Sequence, residues 1–168
     1  MLLHELVGTS AAVARASSRL VKIAELAALL QRVTLPEVEI GVSFLSGEPR
    51  QGRIGIGASV IREAKPLSAA PRPVLSLIEV DNVFEQIATT SGRGSSGDRA
   101  RLLRDLLTRA TADEQDFLVR LVVGELRQGA LEGVLIEAVA RAGNASPATV
   151  RRAVMFSVMY RLSTKSSR

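Results

Sequence analysis

Apolar residues return every three or four positions through most of this chain, the spacing that puts them on one face of an α-helix. Leu20, Ile23, Ala24, Leu26, Ala27 and Leu30 form one such stripe, within a helix expected over 11–32. Ser17 and Ser18 precede Arg19-Leu20-Val21-Lys22 and can cap that longer segment. Pro36 suits a first helical turn and opens a short helix over 37–45. Val80, Val83, Phe84 and Ile87 define a helix over 79–90, and Leu102, Leu103, Leu106 and Leu107 define another that Asp98 can cap. Thr111-Ala112-Asp113-Glu114 is a capping box, in which hydroxyl and carboxylate satisfy amides that a helix start leaves free. The helix it opens carries Phe117, Leu118, Leu121, Val122 and Leu126. Further helices are expected over 130–142, ended by Gly143-Asn144, and from Ser146-Pro147, with Val150, Val154 and Met155 inward. Ser46 to Gly57, Lys65 to Pro73 and Ser91 to Gly97 read as loops, the second extended and suited to joining two lobes. The expected fold is all-α, with eight to ten helices and no fixed-period repeat.

Composition removes several function classes. The 168 residues include no Cys and one His, so disulfide scaffolds, thiol catalysis and multi-His metal sites are excluded. Aromatics are 3%, too few for a base-stacking platform on single strands. No apolar run is long enough to span a membrane, and Met1-Leu2-Leu3-His4-Glu5 lacks the basic start of a signal peptide, so a cytoplasmic protein is expected. Net charge is +5, carried by 19 Arg and 3 Lys. Arginine makes forked contacts to phosphate, so this balance fits duplex-backbone binding and fits a solvated surface equally.

Three segments stand out. Gly92-Arg93-Gly94-Ser95-Ser96-Gly97 matches G-x-G-x-x-G but lacks the preceding strand of a dinucleotide fold. It reads as a surface turn, or as a nest of amides in which Gly92, Gly94 and Ser95 face a phosphate. Gly52 to Ser59 outlines a P-loop, but Ala58 stands where the phosphate-binding Lys belongs, which leaves a connector. Gly124-Glu125-Leu126-Arg127-Gln128-Gly129 is the sharpest segment. On a continuous helix Arg120 and Arg127 share a face with Gly124 between them. A glycine inside a helix costs up to about 1 kcal/mol against Ala, to be offset by close helix packing or by close approach of a phosphate backbone. Arg15, Arg19 and Lys22 lie on one face if the helix runs through Ser17-Ser18. Arg99, Arg101, Arg104 and Arg151-Arg152 read as surface charge, and His4 as surface or partly packed.

Gly124-Glu125-Leu126-Arg127-Gln128-Gly129-Ala130 resembles the G-E/K-L-R-x-G hallmark of the N-terminal DNA-binding domain of ATP-dependent DNA ligases of the archaeal and eukaryotic replicative type. Ser17-Ser18-Arg19-Leu20-Val21-Lys22 resembles that family's S-S/G-R-L-x-K stretch. Phe44-Leu45-Ser46-Gly47-Glu48 with Gly52-Arg53-Ile54-Gly55-Ile56-Gly57 resembles its F-L-S-G-E and L-G-I-G segments. Gly92-Arg93-Gly94-Ser95 and Ala148-Thr149-Val150-Arg151-Arg152-Ala153 match two more in order. The resemblance implies two pseudo-related helical lobes that grip nicked duplex DNA across the minor groove, in repair, replication and recombination. It implies phosphate contacts by Ser17, Ser18, Arg19, Lys22, Gly124, Arg127, Gly129 and Ala130.

The family's AMP-carrying nucleophile is a Lys in K-x-D-G. Lys22, Lys65 and Lys165 are followed by Ile-Ala-Glu, Pro-Leu-Ser and Ser-Ser-Arg, so none fits. ATP and Mg²⁺ belong to the full-length family, and no cofactor is expected in this chain. The DNA-binding domain is expected over 1–156, with a divergent tail over 157–168, as in a ligase N-terminus cut short before the adenylation domain. Competing classes are a helical interaction domain without DNA binding and a nucleotide-binding enzyme using the glycine-rich turns.

Overall fold

The computed structural model describes residues 1–66, 68–126, 129–153 and 155. They form α1 (Leu3–Arg15), α2 (Arg19–Leu30), α3 (Leu35–Ser46), α4 (Ala58–Ala64), α5 (Leu77–Thr89), α6 (Ser95–Thr108), α7 (Ala112–Val123) and α8 (Gly129–Ala142). A further helical run covers 147–153, and the described residues contain no β-sheet. The all-α expectation holds. The divergent tail at 157–168, Arg127 and Val154 lie outside the described residues.

The expected single helix over 11–32 is two helices. Ala16 and Ser18 are extended, and Ser18 is the N-cap of α2, its hydroxyl accepting from the Val21 amide at 3.5 Å. Arg15, Arg19 and Lys22 therefore share no continuous helix face. The buried side of α2 is Ile23, Leu26, Ala27, Leu29 and Leu30, while Leu20 is 75% exposed and Ala24 is also exposed. Helix α6 starts at Ser95, so Asp98 sits in its first turn rather than at its cap, and the loop before it shrinks to 91–94. Helix α4 rises directly from the glycine-rich stretch read as a connector. Met155, expected inward, is 65% exposed.

Helices α1–α4 and α5–α8 repeat one another's end structures. Glu5 accepts from the Leu2 amide at the start of α1 and pairs with Arg32. Glu79 accepts from the Ser76 amide at the start of α5 and pairs with Arg109 at 2.8 Å. Glu37 reaches back to Thr34 at the head of α3, and Glu114 reaches back to Thr111 at the head of α7. Thirteen positions on from each Thr, a left-handed glycine ends the helix: Gly47 at φ 85° and Gly124 at φ 81°. Both ends are Schellman motifs. Gly47 and Glu48 donate to Phe44 and Ser43, and Gly124 and Glu125 donate to Leu121 and Arg120. Leu2 and Ser76, the N-caps of α1 and α5, pair with each other in a lone antiparallel bridge. Leu3 donates to Leu75, and Leu77 donates to Met1. Helix α2 packs chiefly on α8, and α6 chiefly on α4.

One hydrophobic core joins all eight helices. Phe44 of α3 and Phe84 of α5 meet at its centre, with ring centroids 5.7 Å apart and planes tilted by 56°. Buried carboxylates serve the helix starts. Burial alone would raise the Glu37 carboxyl, but the paired Met1 ammonium and the Thr34 amide and hydroxyl together hold it below its usual range.

The Arg109 guanidinium, followed by the Ser76 amide and hydroxyl, lowers Glu79 from the usual 4.5 to about 2. A carboxyl whose pKa is lower folded than unfolded adds stability above the unfolded value and loses it in acid. The Glu79 contribution is therefore complete above pH 4.5 and fades toward about pH 2. Glu79→Gln should make the melting temperature fall less steeply than the parent's across that window. Parallel profiles would show that the Arg109 pair contributes nothing.

Candidate nucleic-acid interface

The segments singled out in the sequence lie at helix ends, and two of them converge. Ser17 and Ser18 are exposed in the break before α2, and Lys22 is half-buried one turn further on. Arg19 reaches across to α8, where its guanidinium pairs with Glu137 at 2.8 Å. The same group lies 3.5 Å from where a Cβ would stand on Gly133. Gly133 is one helical turn, a rise of about 6 Å, after Gly129, so Arg19 meets α8 within two turns of its first residues, Gly129 and Ala130. The Arg19–Glu137 pair is largely exposed on the Arg side. Such pairs are worth about 0–1 kcal/mol, so a phosphate can displace Glu137 at little cost.

Gly124 is not inside a helix. Helix α7 ends at Val123, and Gly124 occupies the left-handed C-cap that only glycine, and occasionally asparagine, adopts without strain. Neither packing nor phosphate approach is needed to explain this glycine. Helix α7 thus stops three residues after Arg120, and Arg127 lies outside the described residues. Leu126 lies in the turn beyond, half-buried. Arg120 pairs with Asp116 at 3.4 Å and lines a groove of about 270 Å³ with Arg15, His4 and Asp113.

Gly92, Gly94 and Ser95 stand elsewhere, in the turn that opens α6. Gly92 and Gly94 are exposed at φ 91° and 87°, and Gly94 is the N-cap of the helix. Arg99, read as surface charge, is half-buried and donates to the carbonyls of Thr90 at 2.6 Å and Ile87 at 3.4 Å. Arg104 likewise donates to the Glu63 carbonyl, tying α6 to α4. A groove of about 480 Å³ runs between the 52–58 loop and the end of α7, with Arg53 and Gly124 among its walls. That groove links the 124–130 segment to a cation that the sequence reading did not place in the site.

A signal for it was present. Gly47-Glu48-Pro49-Arg50-Gln51-Gly52 and Gly124-Glu125-Leu126-Arg127-Gln128-Gly129 differ at one position of six, and each follows a helix end of the same design. In the first copy Arg50 makes a two-pronged contact with the buried Asp81 at 3.2 and 2.6 Å. Gln51 adds a bond to the same carboxylate at 3.0 Å.

The described residues are thus all-helical, with arginines and glycine turns at several helix ends. The family model described as the DNA ligase N terminus matches residues 50–140. A probable DNA ligase of Anaeromyxobacter sp. (strain Fw109-5) is 54% identical over 156 residues, covering 92% of this chain and 30% of that protein. A probable DNA ligase of Sorangium cellulosum (strain So ce56) is 51% identical over 156 residues, covering 92% and 29%. DNA ligase B of Mycobacterium tuberculosis (strain CDC 1551 / Oshkosh) is 48% identical over 158 residues, covering 92% and 31%. The chain belongs to the N-terminal domain family of ATP-dependent DNA ligases. It spans about 30% of the length of these relatives.

The family is that of ATP-dependent DNA ligases, and this chain covers only its N-terminal domain. No group of three or more His, Asp or Glu gathers among the described residues. Lys22 and Lys65 lack the K-x-D-G context, and Lys165 lies outside the described residues without that context either. No adenylation step is assigned to these residues. No helix among the described residues is long and apolar enough to cross a membrane.

Proposed function

We propose that this chain binds duplex DNA, nicked duplex in particular, through backbone phosphates and the minor groove and without reading sequence. It does so as the N-terminal part of an ATP-dependent DNA ligase serving repair, replication and recombination in the cytoplasm. The reading extends to a domain over 1–156 built from two related four-helix halves that share one core, with the remaining ligase domains as its protein partners.

One observation supports the proposal: Arg19, at the start of α2 with Ser17, Ser18 and Lys22, reaches α8 at Gly133 and Glu137, one to two turns past Gly129 and Ala130. Backbone amides and forked cations at helix ends are the groups that position phosphates. The two-copy pattern supports a role for Arg127. Val7 stands two residues after Glu5 in α1 as Asp81 stands two residues after Glu79 in α5, the two glutamates being paired with Arg32 and Arg109. The position in α1 equivalent to Asp81 thus carries no carboxylate.

The test is titration of the chain against two unrelated duplexes of equal length over a range of salt. Equal affinities that fall steeply and linearly on a log–log plot are expected. A chain that binds neither duplex at low salt is a helical interaction domain instead.

A further inference from the structure

We propose that Leu2, Leu35, Val74 and Ile78 form a self-association surface, through which two copies of this chain pair about a two-fold axis. The inference does not rest on DNA binding, because the patch lies at the other end of the helices from the Ser17–Lys22 segment.

The bridge between the halves creates the patch. Leu2 and Ser76 are extended where they pair, so the side chains around them alternate between core and surface. Leu3, Leu75 and Leu77 turn inward and are fully buried. Their neighbours Leu2, Val74 and Ile78 are left exposed. Leu35 joins them from the head of α3. It follows Thr34, which shares the Glu37 carboxylate with the Met1 ammonium, and it is 91% exposed. Single exposed apolar residues are ordinary, but these are four of the eight large ones among the described residues, and they surround one backbone bridge.

The patch sits at the starts of α1, α3 and α5. Each of these helices is 12 or 13 residues long, so about 18 Å separates the patch from the break at Ser17, the cap at Gly47 and the turn at Gly92. Pairing through the patch leaves the contact between α2 and α8 open in both copies.

Charge selects a second copy as the occupant. The chain carries +5, so two copies repel wherever unpaired cations face each other. Around this patch the cations are already neutralised: the Met1 ammonium by Glu37, Arg32 by Glu5 and Arg109 by Glu79. Two further exposed charges flank it and are opposite in sign. Arg72 stands two residues before Val74, and Asp113 lines a groove with His4, two residues after Leu2. Patch and rim together carry no net charge, so the surface can meet itself, whereas a strongly acidic or basic partner would find no counter-charge. The Glu5–Arg32 and Glu79–Arg109 pairs stand at equivalent places in the two halves. A copy turned by half a rotation therefore meets a rim of the same kind.

The experiment is sedimentation equilibrium of the chain without DNA, from micromolar to near-millimolar concentration. The proteins compared are the parent, Leu35→Asp, Val74→Asp, the double variant and Leu20→Asp, which charges an exposed apolar residue outside the patch. The parent should show a reversible monomer–dimer equilibrium. Each Asp change in the patch should raise the dissociation constant by about tenfold, since a two-fold contact buries it twice, and the double variant should stay monomeric. Leu20→Asp should keep the parent's constant. Added salt should change that constant little, because no net charge is brought together. Dilute samples of all variants should melt with the parent, as the altered side chains are exposed. A parent that is monomeric at every concentration would overturn the proposal. So would a dimer that persists in the double variant, or one that Leu20→Asp weakens as much as the patch changes do.

Discussion

Asp81→Ala is expected to lower stability by about 1–3 kcal/mol, the cost of losing a buried acceptor whose exposed partner Arg50 can turn to water. Asp81 is 3% exposed, yet its carboxylate is met by both prongs of Arg50 and by the Gln51 side chain. Alanine would leave the half-buried Gln51 amide without its carboxylate acceptor and free the Arg50 guanidinium to solvent. It would also release the loop after α3 from α5, because these contacts join the two. In a domain of this size the melting midpoint should drop by about 5 °C. Asp81→Asn should cost less, since an amide oxygen still accepts one bond. An Asp81→Ala midpoint within a degree or two of the parent's would mean that the pair merely offsets its own desolvation.

Gly124→Val is expected to cost about 1–3 kcal/mol, because a β-branched residue must be forced into the left-handed region. At φ 81° the Gly124 and Glu125 amides satisfy the last free carbonyls of α7. A valine would open that cap and re-aim the residues that follow, Leu126 to Ala130. The change should therefore lower both the melting temperature and DNA affinity. Gly124→Asn, which tolerates this conformation, should preserve most of both. A valine variant that melts with the parent would contradict the cap geometry. The expectation differs from the one that a mid-helix glycine suggests, in which stability and DNA binding are alternatives.

Helix starts were the most legible features of the sequence. The Thr111 to Glu114 box and Pro36 each mark a start correctly because their chemistry is local. The helix ends were less legible. Apolar spacing continues from Leu121 through Leu126, so periodicity hides the turn that Gly124 makes. It likewise runs across Ala16-Ser17-Ser18, where the serines suggest a cap for the second segment but only the extended backbone at Ala16 and Ser18 shows that the first helix ends there. Helix α4 is seven residues long and follows a run of glycines, too short for a period to emerge. The site divides in the same way. The Ser17–Lys22 and Gly124–Ala130 segments are visible as motifs, but their junction through Arg19, Gly133 and Glu137 joins positions more than a hundred residues apart. Arg99 has no local signature at all, since its partners are backbone carbonyls. The near-identity of Gly47–Gly52 and Gly124–Gly129 was open to inspection, and one matched pair spaced by half the chain is easily overlooked in a search for short periods.

The account's central claim is that this chain holds duplex DNA by its phosphates, with Arg127 among the contacts. The direct measurement is duplex affinity against salt for Arg127→Ala beside the parent, with a melting curve for each. The account predicts an unchanged melt, equally weakened binding on unrelated duplexes, and a log–log slope flatter by about 1 as one fewer counterion is released. An Arg127→Ala chain that melts normally and binds DNA as tightly as the parent at every salt concentration would contradict it.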